Sequence, residues 1–169
     1  MRSIFNTFFA VVLYALIHAT AATEPSGSVL EQALHAMQYG AGIKHGFRAE
    51  KTRAGRTNAF IETVLTTEDE RIEKIYAAVL TKYVPVPDAE TLLAFFRSPT
   101  GVRLIADQSV DRSIAQPKLS LSPEQYEEAR VFSASAAVRR FRQATESATI
   151  QAEAGRALRA SLMSNEASQ

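Results

Sequence analysis

Apolar residues recur at intervals of three and four along most of the chain after residue 28. In residues 69–83, the positions that fall on one face of a helix are Ile72, Ile75, Tyr76, Val79, Leu80 and Tyr83. This spacing is typical of amphipathic helices that pack against a core. No segment after residue 22 alternates with the period of two that marks a half-buried strand, and no Asn-Gly or Asp-Gly hairpin turn occurs. The sequence therefore predicts an all-α fold, a single-domain helical bundle of about five to seven helices.

Helix starts are marked by three capping boxes, in which a Ser or Thr precedes a Glu or Gln by three residues. The pairs are Ser28 with Glu31, Thr67 with Glu70, and Ser122 with Gln125. We expect a helix to begin at each of these positions. The first helix is expected to break near Tyr39-Gly40, because Gly40, Gly42 and Gly46 weaken its continuation. Residues 47–56 are polar and show no clear helical pattern.

Prolines mark the next breaks. Pro85 and Pro87 end the helix that begins at Thr67, since a proline cannot donate to the helical ladder. Ser98 followed by Pro99 is expected to begin another helix. In that helix, Val102 and Ile105 are expected to face the core.

The N-terminus has the three parts of a cleavable export signal. Arg2 supplies a basic start, residues 8–17 form an unbroken apolar run, and Ala19-Thr20-Ala21 fits the rule for signal peptidase. Ten apolar residues make about 15 Å of helix, which is half of what a bilayer core requires. We expect cleavage after Ala21 or Ala22, by the general secretory route. The predicted domains are a signal peptide (1–22), a helical domain (23–163) and a disordered tail (164–169).

The chain has no cysteine, which excludes a lipid-anchored lipoprotein, disulfides, zinc–thiolate sites and thiol catalysis. Small secreted eukaryotic domains are usually rich in disulfides, so the location favoured for this chain is a bacterial periplasm. The chain has 19 Lys and Arg against 18 Asp and Glu, and removal of Arg2 with the signal leaves no net charge. A neutral domain is a poor general binder of nucleic acid or anionic membrane. We expect no nucleic-acid partner, no membrane span after the signal and no cofactor.

The charges are unevenly distributed. A basic stretch contains Lys44, Arg48, Lys51, Arg53 and Arg56, and an acidic stretch follows with Glu62, Glu68, Asp69, Glu70 and Glu73. The favoured interpretation is two solvated, neighbouring faces. The alternative is that the basic stretch is an anion-binding patch.

A segment repeats after 36 residues. Residues 86–103 align with residues 122–139, and the identical pairs are Pro87 with Pro123, Phe96 with Phe132, Val102 with Val138, and Arg103 with Arg139. The repeat predicts a helical hairpin used twice. Because Ala134-Ser135-Ala136-Ala137 replaces the Ser-Pro-x-Gly of the first copy, the second is expected to continue as one long helix to about Leu162.

Residues 90–101 (ETLLAFFRSPTG) resemble a signature of bacterial periplasmic proteins grouped as domain of unknown function family 2059. The signature reads acidic-x-Leu-x-x-small-Phe-aromatic-x-Ser-Pro-x-Gly, and the similarity extends over about residues 65–145. This resemblance implies an exported, all-helical protein and carries over no catalytic residue. The motif residues considered structural are Leu93, Phe95, Phe96, Ser98, Pro99 and Gly101.

Each motif residue has a structural explanation. Phe96 anchors a helix end, Ser98 caps the next helix, Pro99 sets its first turn, and Gly101 permits close approach of two helices. The alternative is that the amide groups at the Pro99 helix start bind an anion.

Catalytic and metal-binding patterns are weak in this sequence. His35 and His45 are ten residues apart and fall about 280° apart around a continuous helix, so they do not converge on a metal. The helix dipole already explains the carboxylates near Glu68, and the chain has no Trp to stack on a sugar. We therefore predict no metal site, no catalytic residue and no enzyme.

The favoured function is a periplasmic protein-binding or envelope-accessory module whose partner is an envelope protein. The alanine-rich segment 144–160 is a candidate partner-facing groove or dimer face. Two alternatives stay open: a small peptidoglycan-active envelope enzyme, and an immunity protein that neutralises a toxin.

Overall fold

The computed structural model describes residues 28–54, 58–108 and 121–164, without the side chains of residues 54, 107 and 108. All regular structure in these ranges is α-helical, which confirms the predicted all-α fold. The helices are α1 (Val29–Ala36), α2 (Tyr39–Ala54), α3 (Ala59–Thr66), α4 (Asp69–Leu80), α5 (Val86–Arg97), α6 (Pro99–Gln108), α7 (Pro123–Ser133), α8 (Ala136–Glu146) and α9 (Ala148–Met163). The described ranges thus hold nine helices, more than the five to seven predicted.

The break between α1 and α2 comes earlier than expected. Met37 is the C-cap of α1, and Gln38 follows with a left-handed backbone (φ 52°). The break therefore lies at Met37 and Gln38, two residues before the expected Tyr39-Gly40. Gly40 instead lies in the first turn of α2.

Helix α2 includes Gly40, Gly42 and Gly46 and continues to Ala54, through most of the segment 47–56 that shows no clear helical pattern. Tyr39 and Ile43 are buried, and Phe47 packs against the same core, so the inward positions follow the spacing i, i+4, i+8. The expectation that the glycines weaken a helix here was wrong. Packing of this apolar face outweighs the low helix propensity of glycine.

Two of the three capping boxes place the helix start correctly. Ser28 Oγ accepts a hydrogen bond from the Glu31 amide (3.2 Å), and Ser122 forms the full reciprocal box with Gln125. Thr67 is not the N-cap of α4, because its hydroxyl donates to the carbonyl of Thr63 in α3 (2.7 Å). The N-cap of α4 is Glu68, which makes no side-chain capping bond.

The C-terminal third is divided into three helices, so the single long helix predicted there was wrong. Ser135 Oγ accepts from the Val138 amide (3.2 Å) and begins α8, and Ser147 caps α9 in the same way. The second copy of the repeat therefore also breaks, one position later than the first. Serine alone is sufficient for this N-cap, without the proline of the first copy.

One hydrophobic core is shared by α1, α2, α3, α4, α5, α8 and α9. Helix α4 packs against α1, α2 and α9, and helix α5 packs against α1, α6 and α8. Ile105 is buried as predicted, whereas Val102 is 57% exposed and Tyr83 is 41% exposed, so both were wrongly assigned to the interior. None of the described helices is both long and apolar enough to cross a membrane.

Candidate functional site

A buried carboxylate, Glu73, lies where α4 meets α1 and α2. The residue is 2% exposed. Its Oε2 lies 3.0 Å from His35 Nδ1 of α1, and its Oε1 accepts a hydrogen bond from the Gly40 amide of α2 (3.1 Å). One side chain of α4 thus joins three helices.

Glycine at position 40 makes this contact sterically feasible. A Cβ on Gly40 would lie 2.5 Å from the Asp69 carbonyl oxygen and 2.9 Å from its Cα. No real side chain fits this distance, so the first turns of α2 and α4 can touch only through glycine. The close approach brings the Gly40 amide within reach of Glu73, one turn further along α4.

Glu73 also supplies what the start of α2 lacks. No acidic residue occupies the first turn of α2, and the side-chain oxygen of the preceding Gln38 is buried without a hydrogen-bond partner among the described residues. A helix N-terminus leaves its first amides unsatisfied and favours negative charge. The carboxylate of Glu73 therefore caps α2 from another helix.

Burial raises the pKa of Glu73, because desolvation penalises the ionised carboxylate. The hydrogen bond from the Gly40 amide and the hydrogen bond and charge of His35 act in the opposite direction, whereas the charge of Asp69 adds to the rise. Lys44 Nζ lies 2.6 Å from Asp69 Oδ1 and forms an ion pair with it. We call these five residues (His35, Gly40, Lys44, Asp69 and Glu73) the Glu73 cluster.

Two tyrosines lie beside the Glu73 cluster in the core. The ring centroids of Tyr39 and Tyr76 are 5.3 Å apart in an edge-to-face arrangement, and Phe141 packs on Tyr39 at 6.3 Å. Burial raises the pKa of both phenols, so both hydroxyls are neutral at physiological pH. The Tyr39 hydroxyl has no hydrogen-bond partner among the described residues.

The Glu73 cluster reaches the surface through His35. The side chain of His35 is 47% exposed whereas that of Glu73 is 3% exposed, so the histidine connects a buried carboxylate with solvent. Sequence reasoning named both residues but did not pair them. Within the described ranges, no three His, Asp or Glu side chains converge in a way that could hold a metal ion.

The basic stretch is largely paired with carboxylates. Lys51 Nζ lies 2.6 Å from Glu62 Oε1 of α3, Lys44 pairs with Asp69, and Arg53 pairs with Glu50 on the same helix. Arg48 is exposed, and Arg56 lies outside the described residues. The basic and acidic stretches therefore contact each other, as neighbouring faces would.

The motif residues of the first repeat form a joint between α5, α6 and α7. Phe95 stacks on Phe132 with ring centroids 3.7 Å apart, and Phe96 meets Phe132 edge-to-face at 5.5 Å. The two phenylalanines that align in the repeat are thus in contact in the structure. Leu93 is half-buried and packs against the edge of the core.

The break between α5 and α6 holds the remaining motif residues. Ser98 Oγ accepts from the Gly101 amide (3.2 Å), and Pro99 is the first residue of α6. A Cβ on Gly101 would overlap the Phe95 carbonyl oxygen and lie 2.7 Å from the Cα of Phe96. Nearby, the buried Thr100 donates to Glu128 Oε2 of α7 (2.5 Å).

Sequence reasoning also missed a charged contact between α8 and α5. Arg140 of α8 donates two hydrogen bonds of 2.5 Å to Asp88, which is 4% exposed in the first turn of α5. The Arg140 guanidinium lowers the pKa of the Asp88 carboxyl. An acidic residue in a first helical turn has a sufficient local explanation, so no local pattern indicates a partner 52 residues away.

Comparisons with protein-family models, with curated proteins and with solved structures found no match for this chain. The resemblance of residues 90–101 to domain of unknown function family 2059 stays a prediction.

Proposed function

We propose that residues 1–22 direct this chain to the periplasm and that the mature protein binds another envelope protein there through α7. Export is supported by the apolar run of residues 8–17 and the Ala19-Thr20-Ala21 site. The binding role is supported by the exposure of α7, in which no residue is buried.

Helix α7 buries none of its residues, although it is eleven residues long. Most helices in globular proteins are stabilised by burying an apolar face, so a helix without one has surface available for contact with a partner. Tyr126 is 62% exposed and Val131 is 58% exposed. Phe132, half-buried against Phe95, attaches the helix to the rest of the molecule.

The charge of α7 indicates the chemistry of the partner. Glu124, Glu127 and Glu128 lie on this helix against the single cation Arg130, which pairs with Glu127. Interfaces are usually complementary in charge, and Tyr is among the residues that contribute most to binding. The partner we propose is an envelope protein that presents apolar residues flanked by Lys or Arg.

The binding role is tested by placing a photoreactive amino acid at Val131 in living cells. Val86, on the first turn of α5, is exposed to the same extent as Val131, at 58%, and is the matched control. We expect one defined crosslinked protein from a probe at position 131 or at position 126, and none from position 86. The product from position 126 should be lost in a Val131→Glu variant that retains its folded circular-dichroism spectrum. The same or no product from positions 131 and 86 would overturn the proposal.

Export is tested separately by N-terminal sequencing of the protein from the periplasmic fraction. We expect the mature chain to start at Ala22 or Thr23. A mature chain that retains Arg2 would contradict the signal peptide without bearing on α7.

A further inference from the structure

We infer that α7 is a strap, which lies over the break between α5 and α6 and opens as one unit while the rest of the bundle stays folded. This opening is a property of the fold, so it goes beyond the proposed binding role and does not depend on whether α7 has a partner.

Helix α7 is held to the molecule by partial burial alone. All eleven of its residues are described and none is buried, and its most covered side chains, Gln125, Ala129 and Phe132, are half-buried. Phe132 is the side chain of α7 that packs against the shared core. An isolated helix of this length is marginal in water, so α7 stays ordered only while it is docked. Undocking and loss of the helix therefore occur together.

Phe132 and Glu128 attach α7 to the two helices beneath it. The Phe132 ring stacks on Phe95 of α5 with centroids 3.7 Å apart and meets Phe96 edge-to-face at 5.5 Å. One turn earlier, Glu128 Oε2 accepts a hydrogen bond of 2.5 Å from the hydroxyl of Thr100 in α6. Residues four apart lie on one face of a helix, so both attachments break when that face moves away.

Both ends of α7 allow the helix to leave without its neighbours. The capping box at its start is formed by Ser122 and Gln125, which belong to the strap itself. At its other end, Ser135 Oγ caps α8 by accepting from the Val138 amide (3.2 Å), and this cap involves no residue of α7. Val138 and Phe141 of α8 are buried in the core that α5 shares, so α8 stays in place when α7 opens.

Opening of the strap uncovers an aromatic surface on α5. Phe95 is 7% exposed in the closed bundle, and the rings in contact with it are those of Phe96 and Phe132. Removal of Phe132 makes one face of the Phe95 ring accessible. This area is small compared with the area that global unfolding exposes, so urea should promote the local opening much less than global unfolding.

The experiment is amide hydrogen exchange by NMR on the purified protein, at a series of urea concentrations below the unfolding midpoint. The reporters are the amides of Glu127 and Val131, one turn apart inside α7, and the references are those of Tyr76 and Leu92, inside α4 and α5. We expect the reporters to share one protection factor, at least about tenfold below that of the references, and to respond little to urea. Protection of the references should fall steeply with urea.

Two other patterns of exchange would overturn the strap. Equal protection and an equal urea dependence in reporters and references would show that α7 opens only when the whole bundle unfolds. Protection that differs between the two reporters and declines towards the ends of α7 would show fraying of single turns.

A variant in the distant core separates local from global opening. Ile72 is 0% exposed in α4, which packs against α1, α2 and α9, and its replacement in Ile72→Val should lower protection of the references by about two- to tenfold. Protection of the α7 reporters should not change, because strap opening breaks no contact of Ile72. The counterpart is Phe132→Leu, which removes the ring stack and should lower protection of the reporters by about fivefold. A fall at the reporters in Ile72→Val, or unchanged reporters in Phe132→Leu, would contradict the proposal.

Discussion

Gly155 lies in the middle of α9, where glycine is a poor choice. A Cβ added there would meet no atom within 4 Å, and its backbone is helical, which alanine adopts without strain. Glycine in a helix interior costs roughly 0.5–1 kcal/mol relative to alanine, mainly because the unfolded chain loses more freedom on folding. Since α9 packs on α3 and α4, this gain should add to the stability of the whole bundle.

We therefore expect Gly155→Ala to raise the free energy of unfolding by about 0.5–1 kcal/mol. For a urea m value of about 2 kcal/mol/M, the unfolding midpoint would rise by about 0.25–0.5 M. The measurement is urea unfolding followed by circular dichroism at 222 nm, with the m value checked for constancy. An unchanged or lower midpoint at constant m would refute the assigned open position of Gly155.

Gly101→Ala is the matched control, because the chemical change is identical and the surroundings are opposite. Its Cβ would overlap the Phe95 carbonyl oxygen, so α5 and α6 would have to move apart. Forced overpacking of this kind costs about 1–3 kcal/mol. A Gly101→Ala protein as stable as the unmodified one would show that the two helices do not approach as closely as described.

Three further predictions concern single contacts. Gln38→Gly should stabilise the protein by about 1 kcal/mol in urea unfolding, because glycine removes the cost of the left-handed backbone. A loss of stability would mean that the Gln38 side chain has a favourable contact. Arg140→Ala should lower the urea midpoint at pH 7 and reduce the decrease of that midpoint as the pH is lowered. The reason is that the lowered pKa of Asp88 contributes stability above the ordinary pKa of aspartic acid, and this stability is lost as the pH falls. An unchanged dependence of the midpoint on acid pH would contradict this. Phe132→Ala should lower the free energy of unfolding by about 2 kcal/mol and remove amide protection from α7 first. Tyr126→Ala, at an exposed site, should change that free energy by less than about 0.5 kcal/mol. Equal effects of the two variants would argue against the stacking joint.

The best sequence signals were those whose cause is local. Ser122 and Ser28 begin helices because a serine hydroxyl satisfies an amide two or three residues further on, and the structure shows those bonds. The repeat aligned Phe96 with Phe132 without indicating that the two side chains touch, and the structure brings their rings to 5.5 Å.

The errors came where local signals compete. Thr67 offered a capping box for α4, but the same hydroxyl can donate back to Thr63, and that bond closes α3 instead. Around Ser135 and Ser147, the many alanines favour a continuous helix. The stretch still breaks at Ser135 and at Ser147, because each serine hydroxyl caps the N-terminus of a new helix.

Glu73 shows which features of a buried site can be predicted from the sequence. Its position matches the inward face of α4, since Tyr76, Ala77 and Leu80 follow at i+3, i+4 and i+7 and all are buried. Glu70, in the same acidic run, is exposed. Periodicity could therefore have marked position 73 as a carboxylate in the core, and a buried charge requires a partner. The partners lie 38 and 33 residues away, at His35 and Gly40, and no local pattern identifies them. They come together because Gly40 lets two helix starts touch, so this buried carboxylate acquires its partners through helix packing.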